Sequence, residues 1–375
     1  MIRGSMDTRQ QWLALALTPG LGPATLKKLV ERFGSARQIL TASRKALEEC
    51  PFLRKDTLGY LCDQKTLTTA AAERELQLAE KAGITILCWD DPLFPPLLKE
   101  ISDPPPILNV LGDPQLLSAP GIAMVGARAA SSYGLQVAGR LAAELARQNL
   151  VIISGFALGI DTAAHRGALA AGGNTIAVMG CGLDIIYPSQ NQKLHEQIIS
   201  HGAIISESPL GTQPEGFRFP ARNRIISGLS LGVVVVEAAH RSGTLITAHQ
   251  ALEQGRDVFA IPGRIDSPKS EGCHRLIQEG AKLVHNATDI LEELALICTA
   301  ATEIRPQAPS LPPEEEKVFS LLEVYPKNIE AIIQAAQLPA HRISEILLHL
   351  ELRGLVVSLP GNHYQRLAES SPSSV

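Results

Sequence analysis

The sequence predicts an α/β fold centred on an open, mostly parallel sheet with helices on both faces. Six short runs of apolar, mostly β-branched residues lie between residues 121 and 261. Most of the stretches between these runs repeat apolar residues at helical spacing. Buried parallel strands read as continuous apolar runs rather than as alternating ones. The six predicted strands are Gly121–Gly126, Val151–Ser154, Thr175–Met179, Ala203–Ser206, Val233–Glu237 and Val258–Ile261.

The region before the sheet, residues 6–110, reads as a small helical domain. A Pro-Gly-Leu-Gly-Pro turn at residues 19–23 precedes an amphipathic stretch at 24–33, the pattern of a helix-hairpin-helix. Such a turn either presents its backbone N–H groups to a phosphate or simply joins two helices. The first five residues, Met-Ile-Arg-Gly-Ser ahead of Met6, are interpreted as an expression-tag remnant outside the fold. The sheet domain is expected to occupy residues 111–297.

The C-terminal part predicts a winged helix at residues 313–368, after a proline-containing linker at 298–312. Three short helical patterns are followed by a hairpin with a Gly-Asn turn. The third pattern would bury its apolar face. The acidic run Glu314–Glu316 and the mixed charges favour a protein-contact or packing module, although DNA reading by the third helix stays open. The predicted helices are 313–323, 328–336 and 340–353, and the buried face is Ile343, Ile346, Leu347 and Leu350.

Bulk composition limits the classes of function. The chain of 375 residues is 45% hydrophobic, which is enough for a sizeable core, and its net charge is −4. It has neither a membrane-length apolar run nor a signal peptide, and its six cysteines are scattered, so a reduced cytoplasmic setting is expected. The acidic balance speaks against a nucleic-acid binder. Locally, however, residues 217–224 hold three arginines, two phenylalanines and no acid.

Ligands of an open parallel sheet bind beyond the carboxyl ends of its strands, so the residues that follow each strand are the candidates. Four of the predicted strands lead into small loops that carry glycine with arginine or hydroxyl groups. Several such loops along one edge suggest an extended, phosphate-bearing ligand. Arginines pair with phosphates, and Phe217 or Phe219 could stack on bases. The loops begin at Gly126, Ser154, Gly180 and His240.

Catalytic and cofactor signatures are weak. The full GxGxxG fingerprint and the Walker A loop are both missing, which speaks against dinucleotide and P-loop cofactors. Asp161 and His165 stand four residues apart, but a helix cap and a packed histidine explain them better than a metal pair. Glu207 and Glu237 end strands and could act as bases, or bond backbone amides or the arginines of 218–224. No cofactor and no metal are expected.

Joint motifs over roughly residues 85–290 resemble the DprA/Smf family of DNA-processing proteins. They are Gly126–Arg128, Ser154–His165, Tyr187-Pro188 with Asn191, Phe219–Leu229, Ser242–Ala248, Gly255–Gly263 and Gly272–Ile277. The flanking regions are similar to the SAM-like helical domain and the winged helix of some members. The resemblance implies a Rossmann-like, non-enzymatic binder of single-stranded DNA. It also implies displacement of single-strand binding protein, loading of the RecA recombinase in natural transformation or related recombination, and homodimerisation.

The resemblance also assigns roles to residues. Arg128, in the motif that opens at Gly126, and the segment with Phe219 are the expected DNA contacts. Small residues in two loops would cradle phosphates. Some of the arginines could instead only brace the segment by pairing with Glu207 or Glu237. The remaining members of the expected site are Ser154, Gly155, Arg218, Arg222, Asn223, Arg224, Ser242, Gly243 and Thr244.

Two rival functions are considered. Nucleotide phosphoribohydrolases of the LOG type share this layout and resemble Pro-Gly-Gly-x-Gly-Thr-x-x-Glu, in which the glutamate is catalytic. Aligned on Gly243-Thr244, this chain places Thr247 at the glutamate position, and threonine is no general base at neutral pH. The other rival is a transcription regulator that acts through the winged helix. Truncation near residue 305 would abolish its DNA binding but would spare that of the sheet domain.

Overall fold

The computed structural model describes residues 7–63, 65–295, 311–323 and 326–366. The chain forms two compact units, Met1–Cys298 and Thr299–Val375. The expected tag remnant and most of the expected linker lie outside the described residues. Within the described part, no helix is both long and apolar enough to span a bilayer.

Among the described residues, six helices build the N-terminal region, and a glycine turn joins the first two as expected. Ser35 and Ser43 accept hydrogen bonds from backbone N–H groups and cap the third and fourth helices. The helices pack into one apolar core with residues of the sheet, and Trp12 stacks on Trp89 with 6.2 Å between ring centroids. The helices are α1 (Thr8–Ala16), α2 (Pro23–Phe33), α3 (Ala36–Thr41), α4 (Arg44–Glu48), α5 (Lys55–Asp63) and α6 (Lys65–Lys81).

A nine-stranded sheet forms the centre of the first unit, in the order β1-β2-β6-β5-β4-β3-β7-β8-β9. Every pair from β6 to β9 is parallel, whereas β1 and β2 add an antiparallel edge. All six predicted strands are present. The strands are β1 (Thr85–Cys88), β2 (Ile107–Gly112), β3 (Gly121–Gly126), β4 (Val151–Ser154), β5 (Thr175–Val178), β6 (Gly202–Ser206), β7 (Gly232–Val236), β8 (Asp257–Ala260) and β9 (Lys282–Leu283).

In the described part of the first unit, eight α-helices accompany these strands. Apolar clusters on both faces of the sheet bury the strands beneath these helices, which confirms the predicted α/β class with helices on both faces. One cluster holds the buried faces of α7, α11, α12 and α13, and another holds those of α8, α9 and α14. The helices are α7 (Pro96–Glu100), α8 (Ser132–Arg147), α9 (Ile160–Ala170), α10 (Gln192–His201), α11 (Arg218–Gly228), α12 (Gly243–Glu253), α13 (Glu271–Gln278) and α14 (Ala287–Glu293).

The expected boundary between residues 110 and 111 falls inside β2, which pairs with β6. We propose to place this boundary between α6 and β1. The two sides of that boundary remain joined by a buried hydrogen bond: a carboxylate oxygen of Glu75 in α6 accepts from the Leu210 N–H at 2.7 Å. Leu210 lies in the segment that leads to α11. Burial raises the pKa of Glu75, and the Leu210 bond opposes that rise.

The second unit is a winged helix, as predicted. Its three-stranded sheet has the order β10-β12-β11, and its core contains the four predicted residues of the third helix. Both arginines of that helix region are paired with acids: Arg342 with Glu314 and Glu345, and Arg353 with Glu315. The elements are α15 (Pro313–Leu321), β10 (Lys327–Asn328), α16 (Ile329–Ala336), α17 (Ala340–Leu352), β11 (Val356–Leu359) and β12 (His363–Arg366).

Candidate nucleic-acid interface

The topological switch point of the sheet lies between β3 and β7. The chain continues from β3 to β4 on one side and returns on the other side at β7, where Gly126 at the end of β3 pairs with Val236 at the end of β7. Ligands of doubly wound sheets bind in the crevice at this point. Arg128 follows β3, and the loop that ends at Ser242 follows β7. The strand order therefore brings together two loops that are more than a hundred residues apart in sequence.

Glycines keep this crevice narrow. A Cβ at Gly126 would strike the carbonyl oxygen of Val236 and the side chain of Ile160. Gly159 has a φ of 82° and packs against the backbone carbonyls of Ala127 and Arg128, where no Cβ would fit. Gly126 lines the larger cavity, and its lack of a side chain lets the end of β3 approach β7 and the start of α9.

An aromatic and cationic cluster, consisting of Arg128, Tyr187, Phe219 and Arg222, occupies the crevice. Tyr187 stacks on Phe219 with ring centroids 5.8 Å apart and planes inclined by 25°. The guanidinium of Arg128 lies 5.2 Å from the Phe219 ring centroid, and that of Arg222 lies 6.0 Å from it. Such cation–π contacts hold guanidinium groups over a ring face. Arg128 is solvent-exposed, whereas Arg222 is buried.

Two cavities meet at this cluster, and all four of its side chains line both of them. The larger cavity measures about 580 Å³, and its wall has a polar part and an apolar part of similar extent. The smaller measures about 310 Å³ and has a mostly apolar wall. The polar wall includes Asn223, Ser242, Gly243 and Thr244, and the apolar wall includes Leu158, Met179, Gly180, Cys181 and Pro188.

Arg222 is fixed from beneath. Its Nη1 donates to the carbonyl oxygens of Gly155 and Val178. Burial lowers the pKa of Arg222 to about 10, with the charge of Arg128 adding to the effect and that of Asp161 opposing it. A Cβ at Gly155 would come within 2.6 Å of the guanidinium. Gly155 is therefore required for the seating of Arg222, and its N–H is already donated to Asp161 at 3.2 Å.

The loop between β4 and α9 is held by buried side chains. Asp161 accepts from the N–H groups of Gly155 and Ala157, both at 3.2 Å, and Asn191 donates to the Phe156 carbonyl at 3.0 Å. The expected helix cap at Asp161 was wrong, because Gly159 holds the N-cap position. Ser154 is buried and donates its hydroxyl to the Met124 carbonyl at 2.6 Å. The Ser154 hydroxyl and the Gly155 N–H are thus used within the protein.

The other two arginines of the segment have acidic partners. Arg224 has 8% of its side chain exposed and donates to Asp103 at 3.0 Å and to Glu207 at 2.6 Å. Its contacts fit the bracing alternative. Arg218 pairs with Glu215 at 3.1 Å and covers the exposed ring of Phe217. Neither arginine lines the two cavities.

The N-terminus of α12 opens into the larger cavity. Ser242 caps this helix by accepting from the Thr244 N–H at 3.2 Å, and its hydroxyl donates to the Thr244 hydroxyl at 3.0 Å. Gly243 is exposed and Asn223 is half-buried. The helix dipole places partial positive charge at this end, beside Arg128. The larger cavity therefore suits an anionic group.

Groups considered for catalysis are engaged elsewhere. Glu237 accepts from the N–H and the hydroxyl of Ser131. His165 is buried, its Nδ1 lies 2.7 Å from the hydroxyl oxygen of Thr175, and burial lowers its pKa to about 3. Thr175 donates its own hydrogen to the Ile152 carbonyl, so Nδ1 of His165 carries the ring proton. The described part of the chain contains no cluster of metal-ligating side chains.

Tyr187 lines both cavities, although the expected site did not include it. It enters through the long connection between β5 and α10, and 42% of the residue's surface is exposed. Its aromatic character next to a proline was visible in the sequence. Its contact with Phe219 was not, because the two residues are 32 positions apart and meet only after the sheet has formed.

A doubly wound sheet with a guanidinium and aromatic cluster at its switch point, joined to a winged helix, defines a Rossmann-like binding protein. Residues 85–295 match the family model described as DNA recombination-mediator protein A, and residues 302–362 match the DprA winged helix domain. The chain belongs to this family, as the sequence motifs indicated. Curated relatives that it matches are named DNA processing protein DprA or Smf.

A relative that is matched over nearly its full length and two solved structures support this family membership. Protein Smf of Synechocystis sp. is 35% identical over 394 residues, 95% of this chain and 98% of the relative. The X-ray structure of DprA from Streptococcus pneumoniae matches with a TM-score of 0.65 at 38% identity, over 77% of this chain and 99% of that one. A Helicobacter pylori DprA structure, described for its single-stranded DNA binding mode, matches with a TM-score of 0.52 at 33% identity over 56% and 95%.

Proposed function

We propose that this protein binds single-stranded DNA, without catalysis, along the carboxyl ends of β3, β4, β5 and β7. The observation that carries the proposal is the position of Arg128, an exposed cation that lies over Phe219 where two cavities meet at the switch point. Cations and aromatic faces side by side suit a ligand that alternates phosphates and bases. The single-stranded DNA binding described for the H. pylori relative supports this ligand class.

Arg128 and the N-terminus of α12 would neutralise phosphates in the larger cavity. Phosphate neutralisation makes binding depend on salt, because each contact releases condensed counterions. Bases would stack on the aromatic part of the cluster. Stacking contributes about 1–3 kcal/mol per base and tolerates any sequence. Paired bases in a duplex cannot offer a face, so the site would favour single strands.

The proposal excludes enzymatic turnover. The alternative, nucleotide hydrolysis, needs a general base at the position that Thr247 occupies in this chain. This threonine is buried and lines the larger cavity at the position where LOG-type enzymes carry glutamate. A hydroxyl in that place accepts no proton at neutral pH. The remaining polar groups of the cavity are arginine, amide and hydroxyl groups together with Asp161, which already accepts two backbone N–H groups.

We further propose the cellular steps that family membership suggests. The protein would protect incoming single-stranded DNA, displace single-strand binding protein and load the RecA recombinase during natural transformation or related recombination. It would act as a homodimer in the cytoplasm. These steps rest on membership of the DNA recombination-mediator protein A family.

The decisive test is fluorescence anisotropy with a labelled oligothymidylate and a duplex at two salt concentrations. Arg128→Ala should weaken single-strand binding and reduce the salt slope by about one. Arg147→Ala is the matched control: it removes the same charge from an exposed arginine at the end of α8, where the helix has returned to the opposite edge of the sheet. Equal binding of single and double strands by the wild type would refute the proposal.

A further inference from the structure

Tyr187 exposes more of its surface in the crevice than Phe219 does. The Phe219 ring is already covered by Tyr187 at 5.8 Å, by Arg128 at 5.2 Å and by Arg222 at 6.0 Å. Gly180 packs so closely that a Cβ there would lie 3.1 Å from Phe219 Cδ1. Tyr187, in contrast, keeps 42% of its surface exposed. A base approaching the cluster therefore meets Tyr187 before Phe219.

The smaller cavity differs chemically from the larger one. Leu158, Met179 and Pro188 form apolar walls, and the charged side chains that reach it are the two arginines that it shares with its neighbour. A phosphate entering this space would lose its hydration against apolar groups. A neutral, planar heterocycle would gain from the same burial.

We propose that Tyr187 is the stacking platform for an unpaired nucleobase, which enters the smaller cavity while its phosphate stays beside Arg128 in the larger one. This inference rests on the proposed function and deepens it by dividing the ligand between two compartments. Apart from the arginines and Tyr187, the polar side chain on this wall is Cys181. Its Sγ already lies 3.6 Å from the Ile185 carbonyl oxygen. The compartment would thus accept bases without reading their edges.

The test compares Tyr187→Ala and Tyr187→Phe by anisotropy on two probes of equal length, an oligothymidylate and its fully abasic analogue. Both probes carry the same phosphates, so the difference between them isolates the bases. Tyr187→Ala should weaken oligothymidylate binding by about 5- to 150-fold, the range expected for a lost stack, and should leave abasic binding unchanged. Tyr187→Phe keeps the ring and should bind like the wild type.

Phe217→Ala is the matched control. Phe217 is 69% exposed and close in sequence to Phe219, but it lines neither cavity. The Phe217→Ala variant should keep the wild-type preference for oligothymidylate over the abasic probe. A second variant, Leu158→Trp, places an indole from the 39%-exposed rim into the smaller cavity and should reduce oligothymidylate binding selectively even if Tyr187→Ala folds poorly.

The outcomes separate the two proposals. If folded Tyr187→Ala binds both probes as the wild type does, or weakens both equally, the platform assignment is overturned while single-strand binding through Arg128 stands. If Tyr187→Ala is unfolded, Leu158→Trp decides, and unchanged oligothymidylate binding by that variant overturns the assignment. Loss of the base preference in Phe217→Ala would indicate that Phe217 is the stacking residue, and this result would overturn the assignment as well. If the wild type itself binds single and double strands alike, the proposed function fails and this inference fails with it.

Discussion

Arg224 donates from Nη2 to a carboxylate oxygen of Glu207 at 2.6 Å, and this pair ties α11 to the end of β6. The segment of residues 217–224 looked like a cationic patch in sequence. In the fold its arginines have different partners: Arg224 has carboxylates, Arg222 has backbone carbonyls and an aromatic ring, and Arg218 has Glu215. The exposed cation at the switch point comes from Arg128, in another loop.

Arg224→Ala should therefore lower the stability of the protein rather than change its electrostatic attraction for DNA. The substitution leaves two partly buried carboxylates without their guanidinium, which should cost about 1–3 kcal/mol in the free energy of unfolding. Urea unfolding would measure this cost. Arg218→Ala, which breaks an exposed ion pair in the same segment, should change stability by less than about 0.5 kcal/mol. A salt slope of binding that falls in folded Arg224→Ala would restore the phosphate role.

Asp161→Asn should destabilise the protein more strongly. Asp161 is the carboxylate whose charge opposes the fall in the pKa of the buried Arg222, and it also accepts two backbone N–H groups. The substitution removes a charge that offsets the burial of the Arg222 guanidinium and weakens two charge-assisted hydrogen bonds, at a cost of about 3 kcal/mol. Asp184→Asn is the control, since this exposed carboxylate accepts from the Gly211 N–H without a buried cation. Similar unfolding midpoints for the two variants would contradict the prediction.

Stability should fall in mild acid because of His165. Burial lowers its pKa from 6.5 to about 3 in the folded protein, so below pH 6.5 the unfolded chain binds a proton that the folded chain does not. The contribution is complete above pH 6.5 and is lost progressively as the pH falls towards 3. Denaturant unfolding at pH 7, 5.5 and 4.5 would show it. His165→Asn, which retains a donor for Thr175, should flatten the dependence, and parallel curves for the two proteins would exclude this histidine as the cause.

Truncation after residue 305 should leave most of the single-strand binding intact. The winged helix has its own apolar core, and Arg342 and Arg353 are already paired with acids. Anisotropy on the truncated and full-length proteins at equal salt would make the comparison. Loss of binding on truncation would favour the regulator hypothesis, with the third helix of the winged helix as the DNA reader.

The sequence predicted the parallel strands well because six of them are short, uninterrupted and mostly β-branched apolar runs, a pattern typical of strands buried on both faces. It missed β1, β2 and β9, which are short or lie beside prolines. It also missed α11. Pro220 occupies the third position of this helix, in the first turn, where its missing N–H costs nothing.

The site was harder to predict than the sheet. Sequence identifies the loops at the strand ends, but the order of strands decides which loops become neighbours, and that order is a property of the assembled fold. Burial then decides the role of each residue. Ser154 and Arg224 looked like ligand groups by residue type, and the structure gives them partners within the protein. Arg128 lies just beyond the end of β3, as its position in the sequence indicates, and its contact with DNA stays a prediction.

The hydrogen bond from the Leu210 N–H to Glu75 bears on how this architecture can change during evolution. The N-terminal helices supply the acceptor for an amide that belongs to the approach to α11. A lineage that discarded or exchanged these helices would uncover a backbone donor and part of a shared apolar core, and would need a new covering segment at the same place. The N-terminal helical region therefore cannot be exchanged without replacing these contacts. Gene fusions made at its border with β1 should retain α6.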